Sequence, residues 1–477
     1  MLFNSYIFIF LFLPITLLVY WSLKRFNLSK LALGVLIIAS FIFYGYQNAY
    51  FTLLLAASIL FNYGIYCLFK SNQVSLKGGA LRKSIFIVGL LINIGILVYF
   101  KYLDFIILNV NLLTKSSYNL KNIILPLGIS FYTFQQISFL IDSYKNEIPS
   151  YGFLEYALFV SFFPQLIAGP IVLHTEMVPQ FKDSLKIKKP SLEDIYDGAQ
   201  YFVLGLSKKL LIADLLGRGV DWGYNNILYL NTVSAVFIIL GYTMQIYFDF
   251  SGYCDMAIGL GRLFGFKITK NFESPYKALS ITEFWKRWHI TLTRFFTTYL
   301  YIPLGGNRKD KLRTYINVMI VFTISGLWHG ADWTFVLWGA LHGIVMVIER
   351  IIGFERLKKL PNWFRFIITF GFINLFWILF RAETFLDAIN ILKRILHGGV
   401  GFLKEDMLTA MFSYLPYNAY AFLALLFSVI LSTLFVNTRQ IVDKKIIKPS
   451  YVILLGILFL CSVISLSDVS AFLYFNF

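Results

Sequence analysis

The chain has 477 residues, of which 58% are hydrophobic and only 14% charged, whereas ordinary soluble domains carry about a quarter charged residues. A soluble multidomain enzyme is thereby excluded, and an all-α, polytopic membrane protein is expected. The net charge of +17, from 42 Lys/Arg against 25 Asp/Glu, does not point to nucleic acid. The aromatic residues sit in long apolar runs and the basic ones in short gaps between them, which is the pattern of loops held on one side of a membrane.

A helical span needs about 20 apolar residues. The N-terminal MLFNSYIFIFLFLPITLLVYWSLKRF lacks a basic leader and a small-residue cleavage site, so it reads as a retained first span rather than a signal peptide. Spans are predicted over residues 4–22, 31–47, 50–69, 84–103, 231–249, 314–331, 333–349, 363–380, 415–436 and 451–466. Less regular segments at 123–141, 153–173, 197–216 and 250–266 carry Pro, Gly and polar residues at depth. Such backbone survives in a bilayer only when enclosed by protein or lining a cavity, so these segments are expected to be functional and partly re-entrant. The total comes to about 11–14 transmembrane or re-entrant helices at this span length. They form three sections: N-terminal spans 1–122, a core 123–349, and C-terminal spans 350–477.

Basic loops set the expected orientation. Lys24/Arg25/Lys30, Lys70/Lys77/Arg82/Lys83, Arg350/Arg356/Lys358/Lys359 and Arg439/Lys444/Lys445/Lys448 belong on the cytoplasmic side, which puts both termini outside. The side taken by Lys182, Lys186, Lys188 and Lys189 depends on how many of the irregular segments cross. Residues 267–313 hold ten Lys/Arg against Glu273, Glu283 and Asp310, the longest basic stretch. Within it Phe284, Trp288, Leu292 and Phe295 recur at helical spacing, predicting an amphipathic helix at the cytoplasmic membrane surface. Lys286, Arg287, Arg294 and Arg308 then form a basic surface, either a plain interfacial anchor among membrane lipids or a docking face for an anionic acyl donor.

Ionisable residues within apolar segments are functional candidates by default. His329, in SGLWHGADW, lies roughly 24 Å along a helix from Arg313, with Trp328 before it and Gly330–Ala331–Asp332 turning the chain back. A neutral imidazole there can act as a general base; the plain alternative is a core histidine bonded to a carbonyl. His289 is expected on the amphipathic face of Trp285, Leu292 and Phe296. His342 in the return segment is expected as a neighbour of His329 across the hairpin. His174 and His397 read as loop residues.

Asp249 and Asp255, with Ser251 between them, suit orientation of a histidine or helix-end hydrogen bonding better than acid–base catalysis. Cys67, Cys254 and Cys461 lie far apart in apolar stretches and read as small core residues, and no ligand spacing points to a metal. The chain ends in AFLYFNF after a polar break, LSDVS. Tyr474 there reads as an interfacial aromatic or as part of a plug folding into an outward cavity. A phenol of pKa about 10 needs a base before it can act as a nucleophile.

Read together, PLGISFYTFQQISFLIDSY, FFPQLIAGPI, YFDFSGYCDMAIGLGRLFGF, NFESPY, FWKRWHITLTRFFTTYLYIPLGGN and GLWHGADWTFVLWGALHG closely resemble the membrane-bound O-acyltransferase (MBOAT) family. The likeness runs in order from about residue 125 to 345 and is to the bacterial branch serving alginate O-acetylation, peptidoglycan O-acetylation and teichoic acid D-alanylation. It implies a helical, funnel-shaped enzyme of the bacterial cytoplasmic membrane, with His329 as catalytic histidine and His289 as second tunnel histidine. Asp249, Ser251, Asp255, Trp328, Asp332 and His342 are placed along that tunnel. The terminal FLYFNF resembles the branch's tyrosine motif, making Tyr474 the expected acyl carrier. No bound cofactor is expected; acetyl-CoA or another acyl thioester is the donor substrate, and an SGNH-type esterase-like protein outside is the expected partner. D-alanyl transfer from a carrier protein and a non-enzymatic channel or permease are the competing readings.

Overall fold

A computed structural model describes residues 1–71, 79–412, 417–468 and 472–473. Its secondary structure is helical throughout, without a strand among the described residues. Six helices there are long and apolar enough to cross a membrane: Phe8–Arg25, Ala49–Lys70, Gly79–Thr114, Thr232–Leu263, Trp333–Ile352 and Asn362–Arg381. Three shorter apolar helices, Ser29–Gly45, Asn418–Thr433 and Pro449–Ile464, accompany them. The protein is a multi-pass membrane protein.

The chain forms two compact units, one of Met1–Phe202 with Met256–Thr269, the other of Val203–Asp255 with Lys270–Phe477. In the first, α1 (Leu13–Arg25), α2 (Ser29–Gly45), α3 (Ala49–Lys70) and α4 (Gly79–Leu97) precede α5 (Leu103–Thr114), with α4 and α5 joined through a π-turn at Val98–Tyr102. The Gly79–Thr114 stretch buries only 17% of its most apolar window in protein, as a lipid-facing helix should. Next come α6 (Ile129–Tyr144), α7 (Phe153–Ser161), α8 (Phe163–Leu166) and α9 (His174–Ser184). The segment 153–173 is thus two short helices and extended chain rather than one span. Gly128 starts α6 at φ +70, where a Cβ would meet the Leu166 carbonyl at 2.7 Å; only glycine fits both the left-handed turn and the close approach.

Several buried polar side chains in this unit join its helices through hydrogen bonds. Asn62 bonds Asn93 and Gln136, tying α3, α4 and α6. His174 is not a loop residue: it opens α9 fully buried, with Nε2 2.9 Å from Asp142 and Nδ1 3.2 Å from the Tyr151 hydroxyl. Its bonds hold α6 and α9 together. His397, by contrast, is exposed at the end of a helix, Phe385–His397.

The second unit begins within α10 (Leu192–Ser207), which runs through a π-segment at Lys208–Ala213 into α11 (Asp214–Asn225). The expected separate segments 231–249 and 250–266 are one helix, α12 (Thr232–Leu263). Of its most apolar window, 83% is buried in protein, which is why a helix containing Asp249, Ser251, Gly252 and Asp255 stays continuous: its polar side chains find protein partners instead of lipid.

The expected amphipathic surface helix is also corrected. It is α13 (Ile281–Arg287) and α14 (Ile290–Phe296), broken at His289. Trp285, Trp288, His289 and Leu292 are at most 3% exposed, so the apolar face packs on protein rather than on a membrane surface. Ser280 caps α13 by accepting from the Glu283 amide, and the buried Glu349 carboxylate accepts from the amides of Ile281 and Thr282 at 2.6 and 2.9 Å. A carboxylate at a helix N-terminus satisfies orphan amides and complements the dipole.

Next come α15 (Lys311–His329) and α16 (Trp333–Ile352), which form a tight hairpin. A Cβ on Gly326 would meet Gly339 Cα at 3.1 Å, and one on Gly339 would meet Gly326 Cα at 2.9 Å. Two glycines therefore let the backbones touch. Beyond the hairpin, α17 (Asn362–Arg381) contributes Phe376, Trp377 and Phe380 to the core.

Candidate active site

The hairpin of α15 and α16 sets the depth of His329. As the last residue of a 19-residue helix, it stands roughly 28 Å from the helix start. It is 1% exposed and its ring is caged by Trp328 at 4.9 Å, Trp338 at 5.1 Å and Phe380 at 5.3 Å between centroids. The ring of His289 lies 6.4 Å away.

His289 owes its place to a backbone device, not to a helical face. It has φ +44 and ψ +52, a left-handed conformation that is uncommon for a residue with a Cβ. The break between α13 and α14 is held by Asn271. Its carbonyl accepts from the Ile290 amide at 2.9 Å, and its side-chain Oδ1 accepts from the Thr291 amide at 3.2 Å and hydroxyl at 2.8 Å. The amide contact identifies that atom as oxygen, so the His289 Nδ1 at 3.2 Å from it must be the protonated nitrogen of the neutral ring. The lone pair then sits on Nε2. Asn271 Nδ2 in turn donates to the buried Cys254 Sγ at 3.4 Å, and Phe250 packs edge-on against the His289 ring at 4.8 Å.

His342 is one ring removed from His329 rather than its direct neighbour. Trp338 stands between them, 5.1 Å from one and 4.9 Å from the other. Trp285 Nε1 donates to His342 Nδ1 at 3.2 Å, which puts the proton of the neutral ring on Nε2. Three histidines thus line one tryptophan-walled core.

The aspartates do not orient a histidine, nor do they sit at a helix end; both are mid-helix and paired with lysines. Lys209 lies 2.6 Å from Asp249 and 2.8 Å from Asp214, and Lys208 lies 2.6 Å from Asp255, which also accepts from Thr438 at 2.6 Å. Ser251 is buried between them. Asp332 is exposed and caps α16, accepting from the Thr334 amide at 2.9 Å. Tyr474 lies outside the described residues.

An apolar cavity of about 260 Å³ opens between α13, α14, α15 and α16, lined by Trp285, Phe296, Tyr301 and Phe322, with Lys286 and Arg350 bringing positive charge to it. Among the other basic residues proposed from sequence, Arg287 is bound to Glu283 at 2.7 Å, Arg294 is half-buried on α14, and Arg308 is exposed. Glu273 occupies Lys270 and Arg439. Burial acts to raise its carboxyl, and the Lys270 and Asn437 bonds outweigh it, holding the pKa below its ordinary value.

Sequence reasoning missed Asn271, Trp338 and the lysines of the π-segment, and read Arg350 as a loop charge, not as part of the cavity lining. Lys208 and Lys209 carried a readable signal, two ammonium groups inside the apolar run FVLGLSKKLLIADLL. Asn271 carried none by composition, since its role depends on a chain reversal.

The family model for MBOAT, the membrane-bound O-acyltransferase family, matches residues 40–386. The chain is 41% identical to a peptidoglycan O-acetyltransferase of Helicobacter pylori over 100% of this chain and 98% of that protein. It is 39% identical to a probable alginate O-acetylase of Pseudomonas aeruginosa over 85% of this chain and 76% of that one. A teichoic acid D-alanyltransferase of Bacillus subtilis is 26% identical over 55% of this chain and 70% of its own length. With a model match across most of its length and a relative this similar from end to end, the chain belongs to the membrane-bound O-acyltransferase family.

Proposed function

We propose that this protein transfers acetyl groups from a cytoplasmic acyl thioester, acetyl-CoA being the simplest donor, to an acceptor system outside the bacterial cytoplasmic membrane, for O-acetylation of a cell-wall or secreted polysaccharide. Membership of the family makes it a membrane O-acyltransferase. Two relatives matched along most of their length are named for peptidoglycan and alginate O-acetylation, while the D-alanyltransferase is matched over little more than half of this chain. That contrast favours acetyl over D-alanyl.

The observation that carries the mechanism is the His289–His329 pair, 6.4 Å apart in a core sealed by aromatic rings. His329 acts as the base. It takes the phenolic proton of Tyr474; the phenolate attacks the thioester carbonyl; the C–O bond forms as the C–S bond breaks, and the thiolate recovers the proton from the imidazolium. A hydroxyl of an SGNH-type partner outside then attacks the tyrosyl ester; its C–O bond forms as the tyrosyl C–O bond breaks, and the hydroxyl proton passes to the released phenolate. His289, its proton fixed on Nδ1 by Asn271, offers Nε2 as an acceptor towards the same reaction space. The cavity beside Trp285 takes the apolar arm of the thioester, with Lys286 and Arg350 facing its anionic end. Exclusion of water around the pair strengthens each of these interactions and guards the thioester from hydrolysis.

Protein reconstituted in nanodiscs with radiolabelled acetyl-CoA tests the reading. Acetyl recovered on the protein or on an added SGNH-type acceptor, lost in His329→Ala and in Tyr474→Phe, supports it. Label that moves only when D-alanyl thioester replaces acetyl-CoA rejects the acetyl assignment, and full transfer by Tyr474→Phe rejects the carrier.

A further inference from the structure

The last described residues of the chain, Phe472 and Leu473, are held at a buried charge cluster. Lys209 is 1% exposed and shared between Asp214 and Asp249 at 2.8 and 2.6 Å. One ammonium thus bridges two carboxylates from different helices. The second oxygen of Asp249 accepts from the backbone N–H of Leu473 at 2.9 Å. The Lys209 ammonium also stands 4.6 Å over the ring of Phe472, which is itself 1% exposed and meets Tyr253 edge-on at 4.8 Å. A desolvated cation over an aromatic face is a favourable contact, and a charge-assisted amide bond is among the stronger hydrogen bonds.

A buried ion cluster is a costly way to join helices, since apolar side chains of equal volume often do it better. What this cluster does that apolar packing cannot is bind a backbone N–H and an aromatic ring at one defined spot. The cluster and the histidine pair share one helix: Phe250, which follows Asp249 on α12, packs on the His289 ring at 4.8 Å.

We propose that Lys209 and Asp249 are positioning residues that anchor the C-terminal segment to α12, the helix that also carries Phe250 against His289, with Phe472 as the docked ring and the Leu473 amide as the docked donor. The proposal rests on the reading of Tyr474 as acyl carrier. Successive Cα atoms lie about 3.8 Å apart, so fixing Leu473 sets the origin from which the next side chain reaches. The dock supplies orientation, which raises kcat without strengthening donor binding.

Two measurements on the full-length protein in nanodiscs test this. Chymotryptic cleavage after Phe472 or Leu473, followed by intact mass, reads docking without reference to catalysis. Asp249→Ala, which leaves Lys209 paired with Asp214, is expected to speed cleavage about tenfold or more, because proteolysis samples the released segment. Acetyl transfer reads positioning. Asp249→Ala and Phe472→Ala are expected to lower kcat about tenfold or more with KM for acetyl-CoA nearly unchanged, and Phe472→Tyr, which keeps the ring, is expected to restore kcat. Unchanged cleavage in Asp249→Ala overturns the dock. Faster cleavage with unchanged kcat overturns the positioning role. Full transfer by Tyr474→Phe sinks the carrier reading instead, and the cleavage rates still report on the dock.

Discussion

The imidazoles of His289 and His329 lie 6.4 Å apart, inclined by 63°, although one sits at a break between two short helices and the other ends a long one. What joins them is not sequence proximity but two separate backbone devices: the left-handed turn pinned by Asn271 and the glycine-tight hairpin of α15 and α16.

Asn271 sets the tautomer of His289, so its loss should be felt in chemistry. Asn271→Ala is expected to lower the rate of acetyl transfer about tenfold or more, since a general acid or base held in the wrong protonation geometry loses much of its contribution. Asn271→Asp, which retains the acceptor for Nδ1 and Thr291, is expected to keep more activity than Asn271→Ala. Equal rates in the two variants, measured with acetyl-CoA in excess, reject the tautomer argument.

The left-handed backbone of His289 separates side-chain loss from strain. Both His289→Ala and His289→Gly remove the imidazole, and both are expected to lose activity. Glycine adopts φ +44 without the Cβ penalty, so His289→Gly should be more stable than His289→Ala by about 1 kcal/mol. Thermal unfolding of the two purified variants makes the comparison; a glycine variant no more stable than alanine contradicts the strain.

Lys209 bridges two carboxylates, one of them fully buried. Lys209→Met removes the ammonium that Asp214 and Asp249 share, an expected cost of about 3–5 kcal/mol. Little folded protein should survive detergent extraction. Pairing the substitution with Asp214→Asn and Asp249→Asn should recover much of the folded yield, measured by size-exclusion chromatography, because the two carboxylate charges that the ammonium offset are then removed with it.

The α15–α16 hairpin admits no Cβ at its crossing. Gly326→Ala is expected to cost about 1–3 kcal/mol through overpacking and to lower transfer by shifting His329, three residues further along the same helix. The homologous change at Gly371, which has open space around it, should do neither. Identical melting curves for the Gly326→Ala and wild-type proteins run against the close-packing account.

How far this could be read from sequence differs from element to element. Apolar runs gave the membrane helices, because burial in lipid needs only length and hydrophobicity. The same rule split α12 at Asp249, since a window scan counts charges without seeing that Lys208 and Lys209 neutralise them. Helical spacing of Phe284, Trp288 and Leu292 located an apolar face but not what covers it, so a protein-buried turn read as a membrane-surface helix. The left-handed residue at its centre was invisible, because histidine has no strong preference for that conformation. His174 was misread as a loop residue for a related reason: its partners Asp142 and Tyr151 come from distant positions in the chain. His289, His329 and His342 stood out by their rarity among apolar residues, whereas Trp338, between the last two, carried no such signal in a chain with nine tryptophans.

The central claim is that acetyl transfer runs through His329. The most direct measurement is the initial rate of radiolabel transfer from acetyl-CoA by the reconstituted protein and by its His329→Ala variant, with folding of both verified by size-exclusion chromatography. The account predicts a rate lower by about a thousandfold in the folded variant, within the range removed with a general base. A folded His329→Ala protein that transfers acetyl at the wild-type rate would contradict it.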